Sequence, residues 1–177
     1  HLAITVALMM HVVGLASVFA VWLARPLLGE RREQALDFRL ERWWALVMWN
    51  AAVRLFGMRV VIEGDDALDG GPIVLMSRHA SLLDTLLPVV VASGRHGLDL
   101  RYVAKQELVW DPFFDLIGHR LPSAFVRRGS RKHAQEIARV DALALDLSAR
   151  DGVVIFPEGT RFTETKRAEI LASLKGR

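Results

Sequence analysis

Leu2 to Ala24 is a run of 23 residues without a charge, and its polar members are Thr5, His11 and Ser17. As a helix, such a run reaches roughly 34 Å at 1.5 Å per residue, enough to cross a ~30 Å hydrocarbon core. A secretory signal would carry a shorter apolar stretch, about 7–15 residues, ending in a small-residue cleavage site. This run ends instead on Trp22, Leu23 and Arg25-Pro26, the pattern of an interface anchor. A retained transmembrane helix over residues 1–25 is therefore expected. Arg25, Arg31 and Arg32 follow at once, and no Lys or Arg precedes the run. The positive-inside rule then puts the rest of the chain on the cytoplasmic side.

Between Glu30 and Phe56, Leu36, Leu40, Trp43, Trp44, Val47, Ala51 and Leu55 recur mostly at three- and four-residue spacing, with Arg31, Arg39 and Arg42 off that stripe. This periodicity predicts an amphipathic helix, and residues 26–57 read as an interfacial segment. Trp43, Trp44 and Trp49 would suit a headgroup layer, where an aromatic ring is half wet. The same stripe could simply pack on the soluble part of the protein.

From Met58 the period changes. Strand-like runs fall at Met58–Glu63, Ile73–Met76, Leu98–Ala104, Ala124–Arg127 and Val153–Phe156, with a turn signal at Asp69-Gly70-Gly71-Pro72. Helical periodicity separates most of them, most clearly over Ser130 to Ser148. Strands alternating with helices predict an α/β domain over 58–177, a layered and mostly parallel sheet with flanking helices.

Composition agrees with one membrane segment joined to one soluble domain. Hydrophobic residues make up 52% of the chain and charged residues 24%, too apolar for an ordinary soluble domain and too charged for a bundle of spans. Acids and bases mix along the chain, which argues against a nucleic-acid partner. One stretch is the exception: His119 to His133 holds Arg120, Arg127, Arg128, Arg131 and Lys132 and no acid. There is no cysteine, so disulfides, thiolate nucleophiles and cysteine zinc sites are excluded. No metal site is expected.

Two segments carry chemistry. Ser77-Arg78-His79-Ala80-Ser81-Leu82-Leu83-Asp84 follows directly on the strand Ile73–Met76, and the ends of parallel strands are where α/β proteins place their sites. On a continuous helix His79 and Asp84 would sit about 140° apart. To meet, His79 must lie in the turn before the helix and Asp84 in or just before its first turn. Asp84 would then orient the imidazole and leave its other nitrogen free as a base. Ser77 and Ser81 flank the histidine without the Gly-x-Ser-x-Gly of a nucleophile elbow. Alone, a His near a strand end with a nearby Asp cap arises often by chance. The second segment is Val153 to Arg161, in which Pro157 stops a strand and Gly159 allows a tight turn. Glu158 and Arg161 emerge there, and a guanidinium fork suits phosphate. A surface turn with a local ion pair would look the same. His11, His96, His119 and His133 have no partner at useful spacing and read as structural or solvent-facing.

Together these segments resemble the glycerolipid acyltransferases typified by 1-acylglycerol-3-phosphate acyltransferase. His79 and Asp84 match that family's His-x4-Asp motif, and Phe156-Pro157-Glu158-Gly159-Thr160-Arg161 matches another of its motifs letter for letter. Phe125-Val126-Arg127-Arg128 fits a third, with Arg128 as its arginine, and Tyr102 to Leu108 followed by Asp111 to Phe114 resembles the stretch before it. The likeness covers about residues 58 to 175 in order and spacing. Arg78 stands where the family commonly has Asn. The family's fourth motif, further along, is absent before Arg177, so a C-terminally truncated domain is expected.

The resemblance implies a glycerolipid acyltransferase-like fold and an O-acyltransferase of phospholipid biosynthesis. His79 would deprotonate the free hydroxyl of a lysophospholipid, 1-acylglycerol-3-phosphate first among candidates, and that oxygen would attack the thioester of acyl-CoA or acyl-carrier protein. Asp84 would support the imidazolium. Arg128 and Arg161 would hold the acceptor's phosphate, with Lys105, Gly159 and Thr160 as further substrate contacts. Glu158 is either a contact or a brace for Arg161. The basic run from His119 would serve anionic substrates. No cofactor is needed, because a thioester is already activated. The partners implied are membrane lipids, and the expected place is the cytoplasmic face of a bacterial inner membrane. A phospholipid transacylase, a thioester hydrolase and a non-catalytic binder of anionic lipid are the rival readings.

Overall fold

The computed structural model describes residues 2–78, 81, 83–105, 118–126, 133–157 and 164–175. It opens with two 27-residue helices, α1 (Leu2–Leu28) and α2 (Glu30–Phe56). Gly29 joins them with φ 72° and ψ 157°, a conformation open in practice only to a residue without a Cβ. The turn folds α2 back along α1. Arg25 Nε meets Glu33 Oε2 at 3.1 Å, and the His11 ring stands edge-on to Trp44 at 5.5 Å. The helices therefore run antiparallel. α1 runs past Ala24 to Leu28, with Pro26 in its last turn. The stretch His11–Leu28 is long and apolar enough to cross a membrane, and Leu8, Val12, Phe19, Trp22, Leu23 and Leu27 are exposed on α1.

α2 has the predicted bounds, since Gly57 ends it in a left-handed cap that donates to Val53 O. Its buried residues are Asp37, Phe38, Trp44 and Ala45. Trp43 and Leu55, assigned to the packing stripe from periodicity, are exposed. The helix is held on two sides, by α1 and by the sheet, so its buried face is wider than one stripe and turned toward Phe38 and Ala45. Trp44, expected in a headgroup layer, is 4% exposed and belongs to the core.

The sheet has four parallel strands in the order β1-β4-β2-β3: β1 Ile73–Met76, β2 Asp99–Lys105, β3 Ala124–Val126 and β4 Asp151–Ile155. Strand alternation sends successive side chains to opposite faces. Ile73, Leu75, Leu100, Tyr102 and Val154 meet α2, Val89 and Ala92 on one face. Val103, Ala124 and Val153 meet Val140 and Leu143 of α4 (His133–Leu143) on the other. Between β1 and β2 lie a 3-10 turn at Leu83–Thr85, a π-helical turn at Val89–Ser93 and the short helix α3, Gly94–His96. A final helix, α5, covers Glu164–Lys175.

Met58–Glu63 is not a strand. Among the described residues no ladder forms there, and Val60 and Val61 are exposed; alternation supplies a strand's side chains but not the neighbour whose backbone it must bond.

Charged side chains join these layers. Arg120 Nη2 donates to Glu33 Oε1 at 2.9 Å, and its Nη1 donates to Val18 O at 3.0 Å. One guanidinium thus links α1 and α2 to the segment before β3. Arg42 donates to Leu98 O and Asp99 Oδ1, fixing α2 to the start of β2. Arg101 donates to the carbonyls of Leu143, Leu145 and Asp146, where a cation suits the carboxyl end of α4. Burial pushes the Glu41 carboxyl up to about 8, against the pull of Arg42, and burial also raises the Tyr102 hydroxyl.

Candidate active site

Parallel pairing decides where the site lies. β4 is last in sequence but sits between β1 and β2, in register Met76↔Ile155 with β1. The ladder runs one residue further, where Ser77 N–H donates to Ile155 O at 3.0 Å. The chain leading to His79 and Asp84 and the chain leading to Glu158–Arg161 therefore leave the sheet side by side. Neighbouring strands are about 4.8 Å apart. β2 ends at Lys105, which pairs with Val126, the last residue of β3 and two before Arg128. All four strands thus present the carboxyl ends that carry the sequence-predicted residues to one edge of the sheet.

Asp84 sits in the 3-10 turn Leu83–Thr85. Its carboxylate is held within its own turn. Ser81 N–H donates to Oδ2 at 2.6 Å and Ser81 Oγ donates to Oδ1 at 2.9 Å, while Asp84 N–H donates back to Ser81 O at 3.3 Å. Lys105 is placed by its backbone alone. His79, Arg128, Glu158, Gly159, Thr160 and Arg161 lie outside the described residues.

Two expectations about basic groups change. Arg120, counted in the run available to anionic substrates, is committed to Glu33 and Asp37. The helix supplying those carboxylates lies more than 80 residues away in sequence, beyond what local charge patterning can foresee. His96, read as lacking a partner, has two: its Nδ1 lies 2.8 Å from Asp69 Oδ1 and its Nε2 3.1 Å from Asp65 Oδ2. Those bonds raise the His96 pKa, and the bond to His96 lowers that of Asp65. This cluster is at the other end of the sheet, before the strands begin. His119 stacks on Phe125 at 5.1 Å and His11 stands edge-on to Trp44.

A cleft of about 200 Å³ also lies away from the candidate site. Arg31, Gln34, Phe38, Asp99, Arg101, Pro122 and Asp151 line it, near the amino ends of β2 and β4. Asp99 is paired with Arg42 and Asp151 with Arg101, so these carboxylates brace the fold.

Sequence reasoning missed Ser81. Its signal was present, because a serine three residues before an acid is the spacing of a capping box.

The family described as Acyltransferase matches residues 59–175. A lyso-ornithine lipid O-acyltransferase of Rhizobium meliloti is 31% identical over 142 residues, 80% of this chain and 45% of its own length. A 1-acyl-sn-glycerol-3-phosphate acyltransferase of Pseudomonas aeruginosa is 30% identical over 125 residues, 70% of this chain and 46% of its own. The 1-acyl-sn-glycerol-3-phosphate acyltransferase epsilon of Mus musculus is 25% identical over 118 residues, 66% of this chain and 32% of its own. The chain thus spans less than half the length of each of these relatives. No solved structure matches it significantly.

Proposed function

The chain belongs to the Acyltransferase family, and from that premise we propose that it transfers an acyl group from a thioester to the free hydroxyl of a lysolipid at a membrane surface. One observation carries the reading: the bond from Ser77 N–H to Ile155 O starts the His79–Asp84 segment and the Phe156–Arg161 segment at one point on the sheet.

His79 acts as general base on the acceptor hydroxyl. The oxygen attacks the thioester carbonyl of acyl-CoA or acyl-carrier protein, the carbon–sulfur bond breaks, and the thiolate takes a proton from the imidazolium. Asp84 supports that imidazolium. Arg128 and Arg161 hold the acceptor's anionic head group, aided by Lys105, Gly159 and Thr160, while Glu158 contacts substrate or braces Arg161. No cofactor enters. The first-choice acceptor is 1-acylglycerol-3-phosphate, giving phosphatidic acid. An ornithine head group offers a carboxylate in place of phosphate, and a guanidinium fork accepts either.

α1 anchors the protein in the bilayer by its exposed apolar side chains, and the positive charge after it favours the cytoplasmic face. The acceptor is itself a membrane lipid, so the anchor keeps enzyme and substrate on one surface.

The test is incubation of the protein in detergent with acyl-CoA and, separately, 1-acylglycerol-3-phosphate and lyso-ornithine lipid, with products read by mass. A diacyl product from one acceptor supports the reading. Free fatty acid alone would make the protein a thioester hydrolase; acyl transfer between lipids without a thioester would make it a transacylase. Tight binding without any product would leave a lipid-binding protein.

A further inference from the structure

The turn that carries Asp84 contains a second residue whose polar groups are spent on that carboxylate. Ser81 N–H reaches Oδ2 at 2.6 Å and Ser81 Oγ reaches Oδ1 at 2.9 Å. We propose that Ser81 is a positioning residue for the acyl-transfer reaction, fixing the orientation of the Asp84 carboxylate and holding it charged. The proposal rests on the general-base reading above.

An aspartate side chain has two torsions, and one hydrogen bond would leave its carboxyl plane free to rotate about the second. Bonds to both oxygens from one residue, one from the backbone and one from the hydroxyl, fix both torsions. An ionised carboxylate has about four lone-pair sites. Ser81 uses two of them. Donors that bond the charged form also hold a carboxylate ionised, the state needed to support an imidazolium. A short turn gives little rigidity by itself: the 3-10 segment is three residues long. The reciprocal bond from Asp84 N–H to Ser81 O at 3.3 Å closes the loop between the two residues.

A purely structural reading is available, because side chain to backbone bonding over three residues also starts helices. The two readings part over the hydroxyl. A cap needs the carboxylate to reach the Ser81 N–H, a bond that alanine retains. Positioning needs the hydroxyl as well.

The experiment compares wild type, Ser81→Ala, Ser81→Thr, Asp84→Asn and the double variant Ser81→Ala/Asp84→Asn, each as the whole chain in detergent. Two readouts are taken. The Asp84 carboxyl is titrated by carbon-13 NMR after selective aspartate labelling, which needs no activity. Its midpoint should rise by roughly one pH unit in Ser81→Ala, because a charge-stabilising donor is lost, and return toward wild type in Ser81→Thr. The turnover of acyl transfer should fall about tenfold in Ser81→Ala with KM for the thioester unchanged, recover in Ser81→Thr, and fall no further when Ser81→Ala is added to Asp84→Asn.

An unmoved Asp84 titration overturns the inference, as does undiminished turnover in Ser81→Ala. So does an additive loss in the double variant, since Ser81 would then act independently of Asp84. A wild-type protein without acyl transfer, or an active His79→Ala variant, would instead overturn the functional reading, and the titration would still decide whether Ser81 holds the carboxylate.

Discussion

Arg120 Nε lies 3.0 Å from Asp37 Oδ2, and the Asp37 side chain is 1% exposed. The arginine also meets Glu33 at 2.9 Å, and Arg25 meets Glu33 from the other side, so Arg120 is the cation that pairs with Asp37 between the apolar helix α1 and the sheet domain. Burial raises the Asp37 pKa, Arg120 pulls it down and Glu33 pushes it up again. Removing one member of such a group leaves an uncompensated buried charge, which costs about 3–5 kcal/mol. Arg120→Ala should therefore lower Tm by on the order of 10 °C, measured by circular dichroism in detergent. Acidification should narrow the gap from wild type, because protonating Asp37 removes the orphaned charge. Replacing all three residues together by apolar ones should recover most of the loss. A Tm unchanged in Arg120→Ala would mean that the cluster holds nothing in place.

The His96 clamp should make stability depend on pH. Both ring nitrogens face carboxylates, an arrangement satisfied fully by the protonated ring, while Arg95 Nη1 also meets Asp65 at 3.0 Å. His96 is raised above its ordinary 6.5, so its contribution is complete below 6.5 and fades as pH rises through the higher folded value. Asp65 is lowered below its ordinary 3.8, so its contribution holds above 3.8 and is lost as pH falls through the depressed value. The Tm difference between wild type and His96→Gln should peak at about pH 5–6 and shrink on the alkaline side. A difference constant from pH 5 to 9 would show that the ring packs without titrating.

How much of this was legible in the sequence follows a physical line. Local signals served well. The uninterrupted apolar run Ile73–Met76 after Gly-Gly-Pro is β1 as predicted, and Gly29 and Gly57 bracket α2 at the predicted ends. The motif segments could be read as a pair, but not the insertion of β4 between β1 and β2 that makes them neighbours. Partners distant in sequence were illegible for the same reason. Nothing near Arg120 announces Glu33, and nothing near His96 announces Asp65. Met58–Glu63 failed from the opposite side, since it has a strand's alternation without a partner among the described residues.

Anchoring by α1 predicts resistance to salt. Leu8, Val12, Phe19, Trp22, Leu23 and Leu27 are exposed on α1, and burial of apolar surface does not weaken with ionic strength as surface charge pairing does. The protein should stay in the membrane pellet after high-salt and carbonate washes. Release by salt alone would make the attachment electrostatic and remove α1 from its anchoring role.

The two arginines separate acyl transfer from hydrolysis. A lost charge-assisted hydrogen bond is worth roughly 1.5–3 kcal/mol, so Arg128→Ala or Arg161→Ala should cut acceptor efficiency about tenfold or more. Slow hydrolysis of the thioester by water should suffer less, since water needs no anion clamp. Lysine at either site keeps the charge and loses the fork, so partial rescue would show that charge dominates. Equal losses in transfer and hydrolysis would move these arginines out of the acceptor site.

The most direct measurement is the rate of acyl transfer by His79→Ala beside wild type, with circular dichroism confirming that both are folded. Loss of a general base lowers turnover by about 10²–10⁴-fold, and the account predicts a fall of that size with the melting temperature unchanged. Turnover in His79→Ala equal to wild type would contradict it.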